Sequence, residues 1–418
     1  MAAGRIYFKP RILVSHTSAL EVPEFRVYMV AAVFGTMAIW MARFLYGWMV
    51  WQYTESPFWV GVASAGLLLP SLIVTPIFGV VSDRINLKHG IISWQFGQGL
   101  ITGVTAIILA FNPLSLPLLM ALIVTFGIVA SAGSPLRLTI LPKLVGKNRL
   151  SSAVGYGAIL FNTSRVIAPA LSAWFLASFS ELSLLWLCTI AFSVAALINL
   201  NLPNFRQPTD KPNAMPWYSE FVVGVKVSWH SPFVRILILL TLLNSFTGRT
   251  LMELLPAFSG SITQGTAADL ATLIACAGVG SIVGGIFMSR QRNEIGRLKN
   301  ILLASLILSI VFIVILLITH SLLIIAISIG FISLLMTLFG TGSQIILQIQ
   351  TDESTRGRVM SLWLTIAIAG PAVGAFVMGW ITEISSFNVT FILMVTLSAI
   401  CCFLLMSHQH KVAKKNLS

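Results

Sequence analysis

The sequence predicts an all-α polytopic membrane protein of twelve transmembrane helices, arranged as two six-helix pseudo-repeats. Three observations predict it. Of 418 residues, 57% are hydrophobic and only 9% charged, against about 25% charged in an ordinary soluble domain. So few charges cannot cover a water-facing surface, and the same hydrophobicity excludes intrinsic disorder. Apolar runs close to the ~20 residues that cross a hydrocarbon core recur twelve times along the chain. Finally, 26 Lys+Arg stand against 13 Asp+Glu, a formal net charge of +13, and the bases cluster at alternate ends of the apolar runs. In a soluble chain that excess would suggest nucleic acid; here it reads as membrane topology.

The elements follow in order. The tail 1–26 carries Arg5, Lys9, Arg11 and Arg26 and has no apolar stretch before residue 27, so it does not read as a cleaved signal peptide. Spans are expected near 27–51, 59–81, 90–110, 117–136, 153–178, 184–202, 234–256, 268–288, 301–318, 322–343, 361–382 and 389–406. The run ILLASLILSIVFIVILLI at 301–318 lacks the in-out alternation of a β-barrel strand, and helices are the remaining way to satisfy a backbone in lipid. Arg84 and Lys88 follow span 2. Arg137, Lys143, Lys147 and Arg149 follow span 4. Arg206, Lys211, Lys226 and Arg235 belong to the central loop. Arg290, Arg292, Arg297 and Lys299 follow span 8, Arg356 and Arg358 span 10, and Lys411, Lys414 and Lys415 the tail 407–418. The opposite loops hold no base, but they hold Glu55, Glu181, Asp269 and Glu383. This asymmetry predicts both termini on the cytoplasmic side of a bacterial inner membrane.

The central loop 203–233 opens with prolines among polar residues and continues as an amphipathic helix, with Trp217, Phe221, Val225 and Trp229 four apart. Such a helix lies in the membrane interface and braces two bundles, 27–202 and 234–406. The bundles echo each other: Gly79-x3-Asp83-Arg84 closes span 2 and Gly285-x3-Ser289-Arg290 closes span 8, while Ala168-Pro169-x2-Ser172-Ala173 in span 5 parallels Gly370-Pro371-x2-Gly374-Ala375 in span 11. Parallel six-helix repeats around a midplane cavity are a transporter architecture.

Enzyme chemistry finds no support. The six histidines all lie outside the spans, Cys188, Cys276, Cys401 and Cys402 sit in apolar runs, and no metal-ligand spacing or phosphate-binding G-x4-G-K-[S/T] loop is present. No cofactor, metal or disulfide is expected.

The segments GVVSDRINLKHG (79–90), ESPFWVGV (55–62), LPKLVGKNRLSSAVGYGAILFNTSRVIAPALSA (141–173) and TDESTRGRVMSLWLTIAIAGPAVGA (351–375) resemble the major facilitator superfamily, in the branch of enterobactin exporters and macrolide-efflux proteins. The sequence departs from the family pattern at Leu87, where the loop 2–3 signature has a second base, and at Ala168-Pro169, where proton-driven exporters carry Gly-Pro. The resemblance implies the major facilitator fold and alternating access, with proton antiport. It implies export of a small organic molecule, siderophore-like or drug-like, and a monomer is compatible with it. Asp83 and Arg84, with Gly79, would latch the cytoplasmic gate, and Gly370-Pro371 would let span 11 slide on a neighbour. A non-transporting sensor or scaffold is the alternative of another class, and it has no need of charges inside spans.

Three bases remain inside spans: Arg43, Arg165 and Arg249. An ionised side chain at mid-membrane costs at least ~2.5–3.5 kcal/mol on insertion scales and faces a cavity or a partner. The resemblance places spans 1 and 7, and in part span 5, around the central cavity. The three arginines are therefore expected to bind an anionic substrate, although Arg249 has Glu253 four residues on and could be neutralised by it, and Arg43 could snorkel outward. Glu253 is the acid inside a span and the candidate for proton coupling. Trp40 and Phe44 are expected to stack on substrate. Asn162 and Asn244, with Gln344 and Gln348, could bond it or simply bond between helices.

Overall fold

The computed structural model describes residues 18–82, 84–205, 225–226, 228–262, 266–291 and 294–417. Twelve helices in it are long and apolar enough to cross a membrane: α1 (Pro23–Thr54), α2 (Pro57–Gly79), α3 (Leu87–Phe111), α4 (Leu116–Gly146), α5 (Asn148–Leu176), α6 (Glu181–Asn199), α7 (Pro232–Glu253), α8 (Ala267–Ser289), α9 (Ile295–Ile318), α10 (Leu322–Gln350), α11 (Thr355–Ile384) and α12 (Phe387–Ser407). No strand occurs among the described residues. Of the central amphipathic helix, Trp217 and Phe221 lie outside the described residues; Val225 and Trp229 are helical and exposed.

The helix starts are written locally. Pro23, Pro57 and Pro232 stand at the first helical positions of α1, α2 and α7, where a missing N–H costs nothing. The side chains of Ser56, Asn86, Ser180 and Thr266 cap α2, α3, α6 and α8 by accepting a backbone N–H. Helix α4 runs well past the apolar run at 117–136, so Arg137 and Lys143 are helical and not loop residues. Hydropathy marks where lipid ends, not where hydrogen bonding ends. The helix stops at Gly146, whose φ of 70° and ψ of 171° are open essentially to glycine.

Within each half, small residues and polar pairs replace the hydrophobic drive that lipid removes. Gly280 of α8 faces the Gly330 carbonyl of α10 with no room for a Cβ. Thr102 of α3 and Thr189 of α6 share a 2.9 Å hydrogen bond, and the buried amides of Gln95 and Asn199 meet at 2.9 Å.

The halves meet on the face opposite the chain ends. There Gly61 of α2 abuts the Ala375 carbonyl of α11 and Gly379 abuts Pro57; at the cavity itself Gly278 of α8 abuts Val166 of α5. Trp51 of α1 covers Gly260, in the helical segment Leu255–Ile262 that extends α7. Ser56 donates to Glu383 at 2.8 Å, and Phe58 packs on Phe376 at 5.6 Å between ring centroids. Toward the chain ends, a Cβ built on Gly79, Gly155, Gly157, Gly285 or Gly357 would meet nothing within 4 Å. Among the described residues, the hydrogen bonds that join the halves all lie at the cavity or beyond it, toward the closed face.

Candidate functional site

A cavity of about 410 Å³ lies between the halves, a volume that suits a small organic molecule. Arg43 and Phe44 of α1, Arg165 of α5, Arg249 and Glu253 of α7 and Pro371 of α11 all line it. The three arginines left inside spans by the topology therefore converge on one space, from both halves. Arg165 stands near enough to Arg43 and Arg249 to be repelled by both.

The ion pair in this space differs from the one the sequence suggests. Residues 249 and 253 have i,i+4 spacing, yet Glu253 pairs across the halves with Arg43: Nη2 lies 3.4 Å from both carboxylate oxygens. Helix α7 carries a π-turn over Ser245–Arg249, with Thr247 at φ −107° and ψ −115°; Arg249 closes that turn, and Glu253 ends the short helix Thr250–Glu253 that follows. The guanidinium of Arg249 lies instead over α10, where a Cβ on Gly340 would come within 3.2 Å of its Nη2. Among the described residues no acid reaches salt-bridge distance of Arg165 or Arg249. The Arg43–Glu253 contact is longer than the ~2.7–2.9 Å of a tight charge-assisted bond, and its side chains are 24% and 22% exposed. It is a loose pair that water or a ligand can reach.

Aromatic rings hold Arg43 from the other side. Its guanidinium carbon lies 4.9 Å from the ring centroid of Trp40, and Trp40 meets Phe161 of α5 edge-on at 5.4 Å. Trp40 and Phe161 both line the cavity.

Other expected residues are not brought here. Asn162 is exposed, and its amide donates to the Ala158 carbonyl one turn back at 2.8 Å. Asn244 is buried beneath the π-turn, where its Oδ1 accepts from Thr247 at 3.5 Å. Neither they nor Gln344 and Gln348 line the cavity. A polar amide in a helix satisfies itself on its own backbone more readily than it waits for a ligand. Asp83 of the expected latch lies outside the described residues; Arg84 is exposed and Gly79 faces open space. Gly370 packs against Ser245 in the π-turn with no room for a Cβ, and Pro371 forms cavity wall.

Two residues escaped the reading from sequence. Phe161 stands one turn before Arg165 on the same face of α5, a spacing that could have flagged it. Arg137 was counted with the loop bases because it lies just past an apolar run. It sits half-buried within α4, its guanidinium carbon 5.9 Å from the Phe161 ring centroid. Among the described residues no group of His, Cys, Asp and Glu could hold a metal ion.

Known proteins agree with this architecture. The family described as transmembrane secretion effector matches residues 14–417. The staphyloferrin A transporter of Staphylococcus aureus is 22% identical over 325 residues, covering 77% of this chain and 81% of that protein. The multidrug efflux pump Tap of Mycolicibacterium fortuitum is 21% identical over 358 residues, covering 82% and 86%. The solved nucleoside transporter NupG superposes with a TM-score of 0.70 at 12% identity, covering 92% of this chain and 98% of that one.

Proposed function

The chain belongs to the transmembrane secretion effector family of the major facilitator superfamily, and from that membership we propose that it exports a small, anionic, siderophore-like molecule across the bacterial inner membrane by alternating access. The observation that carries the anionic class is the charge of the cavity: three guanidiniums share it with one carboxylate. Burying charge without a partner is expensive, so Arg165 and Arg249 present two forks without an acid, a fit for carboxylate or catecholate oxygens. Trp40, Phe44 and Phe161 offer rings for an aromatic portion. Glu253 competes with the substrate's anionic group for Arg43. Both termini face the cytoplasm, as the basic loops require. With the halves sealed on the opposite face, the cavity opens to the cytoplasm, and Asp83, Arg84 and Gly79 close that face in the other half of the cycle. Motion of α11 on α7 at Gly370-Pro371 accompanies the change.

The test is extracellular metabolite profiling of a strain lacking the gene, complemented with wild type, Arg43→Gln or Arg165→Gln. The expected result is loss of one secreted anionic metabolite, restored by wild type and reduced at least tenfold in either variant, with unchanged drug sensitivity. Multidrug efflux is the second reading, supported by the apolar and aromatic share of the lining. Heightened drug sensitivity with an unchanged secreted profile would establish it over the first. Wild-type export by both arginine variants would remove the anion-binding claim.

A further inference from the structure

A second cavity, of about 320 Å³, lies beside the first. Its lining includes Tyr28 near the start of α1, Leu141 near the end of α4, Gly157 near the start of α5 and Leu364 in the first third of α11. Those positions place it between the central cavity and the face that carries the chain ends. The two cavities share Trp40, Arg43, Leu67, Leu68, Phe161 and Ile368, so the Trp40–Phe161 pair stands in their common wall.

Cations and rings alternate along that wall. Arg137 lies by Phe161, Phe161 meets Trp40 edge-on, and Arg43 lies over Trp40. On the outer side of the pair, Arg137 makes no ion pair or side-chain hydrogen bond with any described residue, and the same holds for the hydroxyls of Thr36 and Ser134, which line the same space. Ser134 and Arg137 are three apart on α4 and therefore on one face of it. The indole N–H of Trp40 is buried with no partner, and an unmet buried donor is held at a cost of about 1–3 kcal/mol. A ring rotation that offers that N–H to an anion's oxygen would relieve it. Among the described residues, the lining holds no titratable group besides Tyr28 and the two arginines, so no described acid opposes an anion there.

We propose that this second cavity is an antechamber in which Arg137, Thr36 and Ser134 bind the anionic group of a carboxylate-bearing substrate before it passes the Trp40–Phe161 pair to the three central arginines. This rests on the anionic reading of the central cavity and deepens it: Arg137 is an access site, distinct from the site of highest affinity. A cation placed along a low-dielectric path concentrates its counter-ion and speeds association by a factor of ~10 or more, and salt screens that gain. An access site therefore acts on association, and a central site on dissociation.

The experiment uses full-length protein in detergent micelles at neutral pH and trimesate (benzene-1,3,5-tricarboxylate) as probe, a flat ring with three ionised carboxylates. Stopped-flow tryptophan fluorescence gives association and dissociation rates over a range of salt. For Arg137→Gln the expected result is an association rate about tenfold lower and nearly insensitive to salt, with Kd changed less than threefold because dissociation slows too. Arg137→Lys keeps most of the rate and its salt dependence, which a purely structural guanidinium would not allow. Arg249→Gln raises Kd about tenfold through faster dissociation. An Arg137→Gln association rate equal to wild type, or an effect confined to dissociation, overturns the antechamber and leaves the anionic reading intact. Failure of the wild type to bind trimesate overturns both.

Discussion

At the scale of residues, the site turns on one carboxylate among three guanidiniums. Glu253 holds Arg43 loosely, at 3.4 Å to each oxygen, and under the proposed function a substrate anion takes that place. Anion and carboxylate compete for Arg43, so protonating Glu253 favours the anion, and by reciprocity the anion favours protonation. Glu253→Gln should therefore tighten trimesate binding about tenfold at neutral pH, an effect of ~1.4 kcal/mol, and isothermal titration calorimetry measures it. An unchanged affinity in the variant would detach Glu253 from the substrate. The sign has a consequence for coupling: proton and anion promote each other at this position, so a cycle that moves them in opposite directions needs a proton site other than Glu253. The loose pair was not legible in the sequence. Spacing along α7 suggests Arg249–Glu253, but Arg249 lies over α10 and Glu253 meets Arg43 of the other half, contacts that only the packing of distant helices sets. Convergence of Arg43, Arg165 and Arg249 on one cavity was legible, because a cation inside an apolar span has few other places to go.

At the scale of elements, the face opposite the chain ends is closed by backbone approach. Gly61 and Gly379 leave no space for a Cβ between α2 and α11. Gly61→Val should force α2 from the Ala375 carbonyl and shift the resting population toward a state open on that face. Spin labels placed near residues 58 and 380 would report a longer mean distance by double electron–electron resonance, and the variant should lose export while still inserting in the membrane. An unaltered distance distribution would show that the glycine contact does not hold the closed state. In the central loop the spacing of Trp217, Phe221, Val225 and Trp229 reads as an amphipathic helix; Val225 and Trp229 are helical and exposed, and Trp217 and Phe221 lie outside the described residues.

At the scale of the whole molecule, the two halves are joined by a seam on one side and part toward the chain ends. A disulfide between Ser56→Cys and Glu383→Cys, at the positions where the Ser56–Glu383 hydrogen bond spans 2.8 Å, should lock the seam. Export should fall to background under oxidant and recover on reduction, with each single variant unaffected by oxidant. Full export by the oxidised double variant would exclude opening at this seam from the cycle. Of the native cysteines, Cys188, Cys401 and Cys402 are buried, and the half-buried Cys276 is replaced by Ser in the assay background.

The sequence by itself determined the class, the twelve helices and the two-fold repetition. Each follows from a property of short segments in lipid: apolar length, a backbone that has to bond within itself, and bases that stay on one side. It also singled out the arginines, because their insertion cost is intrinsic to the side chain. Only the tertiary structure decided which partner Glu253 takes, that Asn162 and Asn244 turn away from the cavity, and that Arg137 lines a second cavity instead of belonging to a loop. Those outcomes depend on contacts between helices far apart in sequence, where a partner on another helix, or a helix running past its apolar run, takes up a side chain that local patterning had placed elsewhere.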